Sequence, residues 1–567
     1  MKAFLFISIA FIISCTIQEE VADVIFINGN IYTVLNDQPI VQAVAVLDGK
    51  ILAVGANEDI ESVQGEKTKV INLGGNMMTP GFIDSHAHFM GIGYSKLDLD
   101  LMEIKSYEEL VEKVKDKITQ MKPGEWVLGR GWHQDKWDTI TSPIVQGFPT
   151  HNLLSEISQD NPVFLRHASG HAGFANAKAM EIAGINLNTN FGVGGEIIKD
   201  RDGNPTGIFN ETAQGLISEY IPKNDDKRDQ QAFEEAVKEC LAHGITSLHD
   251  AGVNFNTIEL YKKNLSEGKL KVRIYAMLSG SDKELLQHYF ANGVEIGFGN
   301  DFLSIRSIKL YSDGALGSRG AWLLKPYEDM PGTVGHSITP VEDIYQVCEE
   351  ALENGFQICT HAIGDRANRE VLDQYEKAFK TTDCNSSDFR FRIEHAQHLH
   401  TDDIPRFNEM GVIPSMQAIH MSSDRPWAID RLGQERIEEG AYVWQKLMKS
   451  GAVIINGTDA PVEPVNPIDC FYASVTRKTL KGFPPDGYEP GQKMTRDQAL
   501  KSYTLNAAFG AFEEDVKGSI EVGKYADFAI FNADFMTIPE DRILNTKVVM
   551  TVVDGEIEYS DGTLKVE

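Results

Sequence analysis

Short apolar runs, each followed by a stretch with helical spacing, fill the middle of the chain. The runs are "GFIDSHAHF", "GITSLHDAG", "VRIYAMLSG", "SIRSIKLYSDG", "FQICTHAIGD", "FRIEHAQ", "GVIPSMQAI" and "AVIINGTDAP", rich in strand-forming residues. Between them lie segments such as "PVEDIYQVCEEALENG", whose apolar residues return every three or four positions, as on a helix buried along one face. Eight β-runs with intervening helices predict an α/β fold of parallel βα units, most simply an eight-stranded (β/α)8 TIM barrel. A doubly wound sheet is the alternative, but no glycine-rich dinucleotide fingerprint follows the first run.

The two ends of the chain are patterned differently. "ADVIFINGNIYTV" and "AVAVLDGKILAVG" near the start, and "KYADFAIFNADF" and "VVMTVVDGEIEYS" near the end, are short strand-like runs, several broken by Asn-Gly or Asp-Gly turns. They predict one small β domain, a β-sandwich, built from residues 20–78 and 515–567, with a barrel domain over 79–514 between its halves. Between the first and second β-runs lie roughly 150 residues, where a βα loop usually has about 2–6. This insertion, about 95–240, holds "GRGWHQDKW", "VFLRHASGHAGFANAKAM" and the hairpin-like "GGEIIKDRDGNPTGIF".

Composition narrows the partners. With 53 basic and 83 acidic residues the chain carries a net charge of −30, which argues against nucleic acid. The expected partner is a small-molecule substrate, and a homodimer is compatible with the sequence. Cys240, Cys348, Cys359, Cys384 and Cys470 form no C-x-x-C pair and read as small apolar residues rather than a disulfide framework. The leader "MKAFLFISIAFIISC" is too short to span a membrane. Its "IISC" resembles the bacterial lipoprotein signal, which implies a signal peptide over 1–15 and a lipid on Cys15. The implied location is the cell envelope, periplasmic or cell-surface side, with the membrane reached only through that anchor.

Barrel enzymes build their sites at the C-terminal ends of the strands. There the first run carries His86 and His88, whose spacing of two puts them on one face of a strand. The fourth carries Lys309, the fifth His361, the sixth His395 and the eighth Asp459. Singly, each has a plain structural explanation. Together, four imidazoles and a carboxylate at one mouth are donors suited to zinc and related divalent ions.

The motifs "TPGFIDSHAHF", "GWHQDKW", "SGHAGFAN", "KLYSDGALGSRGA", "THAIGDRA", "RIEHAQ" and "GTDAPVEPVNP" resemble those of the amidohydrolase superfamily, amidohydrolase family 3, in its N-substituted formamide deformylase-like branch. The resemblance spans nearly everything after the leader. It implies a distorted (β/α)8 barrel, one or two divalent metal ions, zinc foremost, and hydrolysis of an amide-type C–N bond other than a peptide bond. It further implies that His86, His88 and Asp459 hold the more buried ion, that His361 and His395 hold a second, and that a carboxylated Lys309 bridges them. With a single ion, Lys309 would stay an amine and contact substrate.

In the implied mechanism Asp459 is the catalytic proton carrier. Trp132, His133, Arg166, His171, Asp313 and Arg319 are the candidate substrate contacts, and His249 reads as supporting structure. The alternatives are a cyclic amidine deaminase and a catalytically inactive ligand-binding surface lipoprotein on the same scaffold.

Overall fold

The computed structural model describes residues 20–139, 143–192 and 194–566. The leader and Cys15 lie outside the described residues. Eight parallel strands run through one nine-stranded sheet, whose ninth, Glu295–Gly297, pairs antiparallel with the fourth: β1 (Phe82–Ala87), β2 (Ile245–Val253), β3 (Arg273–Ser279), β4 (Leu303–Tyr311), β5 (Gln357–Ala362), β6 (Arg392–His395), β7 (Ile413–Met416) and β8 (Ile455–Asn456). Each pairs in parallel with the next. Parallel strands are covered on both faces, which is why they read as near-continuous apolar runs.

β8 has only two residues, so the seam back to β1 is made largely beyond it. Asp459 N–H donates to the His86 carbonyl (2.7 Å) and His88 N–H to the Ala460 carbonyl (2.8 Å). These bonds curl the sheet into a distorted barrel. The helices cover it as the pattern predicts. Val341–Asn354 starts after Pro340, buries Ile344, Cys348, Ala351 and Leu352, and stops at Gly355 in the left-handed region, φ 78°.

The two ends of the chain do share a sheet. Its order is Glu556–Ser560, Val548–Val553, Phe528–Phe531, Met77–Pro80, Asn30–Tyr32 and Ile40–Val41. A four-stranded sheet from residues 24–72 packs with it around Phe26, Ile31, Met78 and Phe528. The barrel is tied to this layer by Arg273 of β3, whose buried guanidinium pairs with Asp527 and Asp554.

The insertion has its own six-stranded sheet, in the order Gly195–Lys199, Pro205–Glu211, Ala172–Ala175, Val163–His167, Val127–Trp132 and Leu99–Asp100. Its first two strands are the antiparallel hairpin expected from "GGEIIKDRDGNPTGIF". Trp132 lies in this sheet's core, fully buried among Trp137, Phe148 and Phe174, with its indole N–H donating to the Leu165 carbonyl at 2.9 Å. The structure therefore places Trp132 in packing, not against a substrate. Trp132→Ala is expected to cost about 3–5 kcal/mol, read as a lowered thermal midpoint. Trp132→Phe should leave KM within about twofold of wild type; a larger change would return the residue to the substrate wall.

Candidate metal centre and active site

The barrel mouth gathers its polar groups from strand ends. His86, the penultimate residue of β1, turns Nδ1 to the carboxylate of Glu394 on β6. Glu394 is gripped by Arg392 through Nε (2.7 Å) and Nη2 (3.0 Å). Arg392 and Glu394 are two apart on one strand and so share its inward face. A proton held on Nδ1 by that carboxylate leaves Nε2 of His86 free to face the mouth. His88 follows as the first residue before helix Phe89–Leu97. Its Nδ1 meets the Ala251 carbonyl at 2.9 Å, and its Nε2 lies 3.3 Å from Asp459 Oδ1.

Asp459 is the meeting point. Its Oδ1 is 3.6 Å from His86 Nε2, and its Oδ2 takes a 3.2 Å contact from His420 Nε2. One ligand atom each from His86, His395 and Asp459 fall within 4.8 Å of one another. His361 stands one ring further, with its centroid 4.4 Å from that of His395. Lys309 reaches the cluster from β4, Nζ lying 3.1 Å from His86 Nε2. His395 and Asp459 both have left-handed backbones, φ 72° and 58°, a strain that concentrates at functional sites.

Electrostatics follow from burial. Burial alone would raise the Asp459 pKa; hydrogen bonds from His420 and His88 overcome it and hold the carboxyl well below the usual range. Burial opposes a charge on His420 too, yet its bonds to Asp459 and Glu463 raise it to about 10. Burial drags Lys309 down to about 8, against the pull of Glu394 and Asp459. It also pushes His361 and His395 well below the ordinary imidazole value, keeping them neutral, the form that ligates metals.

The donor set fits a divalent ion. His361 Nε2 and His395 Nδ1 are buried with no hydrogen-bond partner among the described residues, which a buried polar atom rarely tolerates. Three imidazole or carboxylate donors lie within reach of one point, and the Lys309 amine, which could not ligate while protonated, stands beside them.

The remaining candidates divide. His133 and His171 line the same cleft as His361, His395 and Asp459, and His171 Nδ1 is bonded to Glu211 at 2.6 Å. Asp313 accepts backbone N–H bonds from Trp322, Ile363 and Gly364 and sits 3.6 Å from His361 Nε2. Arg319 is spent on Asp329 at 2.8 Å. Arg166 faces a different cavity. His249 is buried against Arg392, 3.0 Å from its Nη1.

Sequence reasoning missed His420, Glu463 and the Glu211 partner of His171. His420 stands one residue past the run "GVIPSMQAI". Extending the strand-end rule by one position would have found it. Glu394 was visible in "RIEHAQ" without a role.

A barrel of this kind, with histidines and an aspartate converging at its C-terminal mouth, defines a metal-dependent hydrolase. Residues 69–559 match the amidohydrolase family, and the chain belongs to that family. It is 32% identical over 540 residues, 94% of this chain and 98% of the other, to Bacillus subtilis (strain 168) YtcJ, which carries an amidohydrolase name. To the N-substituted formamide deformylase of Arthrobacter pascens it is 26% identical over 557 residues, 95% and 99% of the two chains. An uncharacterized metal-dependent hydrolase of Pyrococcus horikoshii OT3 superposes with a TM-score of 0.71 at 30% identity, covering 91% of this chain and 99% of that one.

Elemental analysis of the purified protein should find about one to two equivalents of divalent metal. His86→Ala and His395→Ala should each lose most of it. A wild-type protein below a tenth of an equivalent after metal-supplemented growth would overturn the assignment.

Proposed function

We propose that this chain hydrolyses an amide-type C–N bond of a small N-acyl or N-formyl compound. The observation that carries the reading is Asp459: a buried, ionised carboxylate in contact with His86, His88 and His420 at once. His86, His88, His361, His395, Asp459 and Lys309 would hold the metal, zinc by preference of the donor set. Such an ion supplies Lewis acidity, polarising a carbonyl and bringing a water's pKa towards ~7.

The chain's own groups do the rest. Asp459 takes a proton from the attacking water and hands it to the leaving nitrogen. His420, tied to Asp459 Oδ2 and within 3.6 Å of Glu463, fixes the carboxylate's orientation. Burial works against a charge on His171, but Glu211 raises its pKa, and the ring lines the cleft where a carbonyl oxygen turns negative. The formamide deformylase name of the Arthrobacter relative supports the N-acyl or N-formyl substrate class.

Lys309 is proposed to carry a carbamate. Carboxylation needs a neutral amine, and a pKa near 8 provides one at neutral to mildly alkaline pH. The modified side chain would present anionic oxygens where an ammonium could not ligate. The proposed location is the cell envelope, through a lipid on Cys15. Among the described residues no helix is long and apolar enough to cross a membrane.

A screen of N-formyl, N-acyl and cyclic amides with metal-loaded protein tests the activity. Turnover of none of them, with ammonia released from a cyclic amidine instead, would replace the reading with deamination. Asp459→Asn keeps the shape but not the base, and kcat should fall ~10²–10⁴-fold; turnover within tenfold of wild type would exclude Asp459 as the proton carrier. Lys309→Ala should lose metal and rate, with partial recovery on adding formate or acetate; retention of both would exclude the bridge. Cys15→Ser should release the protein from the membrane fraction. A wild-type protein found wholly soluble and without acyl label would remove the anchor.

A further inference from the structure

Arg166, a sequence-predicted substrate contact, is turned away from the catalytic histidines. Adjacent residues of a strand point to opposite faces. Since His167 lines the central cleft, Arg166 projects from the other face of the insertion sheet. There it lines a separate cavity of about 480 Å³, within the usual range for small-molecule sites.

The charge in that cavity is unusual for this chain. Arg130 and Arg166 are direct register neighbours on parallel strands Val127–Trp132 and Val163–His167, a placement of like charges that is destabilising by itself. Lys223 and Arg228 stand at the same cavity, where the one carboxylate is Asp98. Asp98 is already bonded to Arg228, although its charge reaches Arg166. Arg130 spends its donors on the Pro461 carbonyl (3.3 Å) and the Ala168 carbonyl (2.9 Å), both uncharged. The side chains of Arg166 and Lys223 make no hydrogen bond or ion pair among the described residues. In a protein of net charge −30, four cations line a cavity with one carboxylate in its wall, Asp459 acting on Arg130 from behind, and mark a place built for negative charge.

We propose that this cavity binds a small oxyanion, a carboxylate or phosphate group, held by Arg166 and Lys223 with Arg130 behind them. Guanidinium and ammonium groups together suit such oxygens, the first as a fork and the second as a point charge. The site is independent of the catalytic reading. It does touch the catalytic loop, because Pro461 forms part of its wall two residues after Asp459.

The test is calorimetric titration of the metal-containing protein at low ionic strength with inorganic phosphate and, separately, with acetate. At least one should bind saturably at one site per chain and raise the thermal midpoint. Arg166→Gln should weaken that binding at least tenfold and Lys223→Gln several-fold. Arg319→Gln, which alters an arginine outside the cavity, should bind as wild type. Absence of binding by both anions overturns the proposal. So does undiminished binding in Arg166→Gln, which would place the anion at the metal centre. Lys223 is exposed, so if Arg166→Gln does not fold, unchanged affinity in Lys223→Gln overturns the proposal by itself.

Discussion

Two backbone hydrogen bonds, from Asp459 to His86 and from His88 to Ala460, hold the last barrel strand to the first. Everything at the mouth depends on that seam. It is reinforced from below by Asp84, whose carboxylate accepts the Thr458 N–H at 2.9 Å and the Thr458 hydroxyl. The approach is close enough that Gly457 has no room for a side chain: a Cβ there would stand 2.5 Å from the His86 nitrogen. Through this contact, residues more than 370 positions apart present an imidazole pair and a carboxylate to one point.

Around the seam the barrel buries charges that an ordinary core would exclude. Glu394, Arg392, Lys309 and Asp459 are all at most 5% exposed. Buried ions return little stability unless each is paired and hydrogen-bonded. Here they are chained. Arg392 holds Glu394, Glu394 holds His86, and His86 contacts both Lys309 and Asp459. A second chain runs from Asp459 through His420 to Glu463. Such arrangements are kept for chemistry, since they set the protonation state of each group before substrate arrives.

The insertion makes one sheet serve two cavities. Its aromatic core around Trp132 gives it rigidity, and strand alternation then sends His167 to the catalytic cleft and Arg166 to the basic cavity. Arg130 donates to the Pro461 and Ala168 carbonyls and so ties the catalytic loop to the insertion. The cleft is closed over by further ties: Arg431, from the helix after β7, pairs with Asp135 of the insertion and with Asp329.

Much of this is legible in the sequence. Strands buried on both faces read as continuous apolar runs, so the eight barrel strands stand out, and the rule that sites gather at their C-terminal ends selects His86, His88, Lys309, His361, His395 and Asp459. The turn-rich runs at both ends likewise announce a sheet shared by the termini. Local pattern stops there. Nothing near Trp132 distinguishes a pocket wall from a core, because an indole suits either and its neighbours arrive from other strands. Arg166 and His171 stand five residues apart along the chain, yet the sheet places them at different cavities. Glu394 gains its role from His86, 308 residues away, and His420 gains its role from a carboxylate brought across by barrel closure. Periodicity along a chain decides which element a residue joins and which face it takes, since both depend on neighbours a few positions away. Which groups then meet is decided only when the sheet closes, because the energy of a buried charge depends on partners that are distant in sequence.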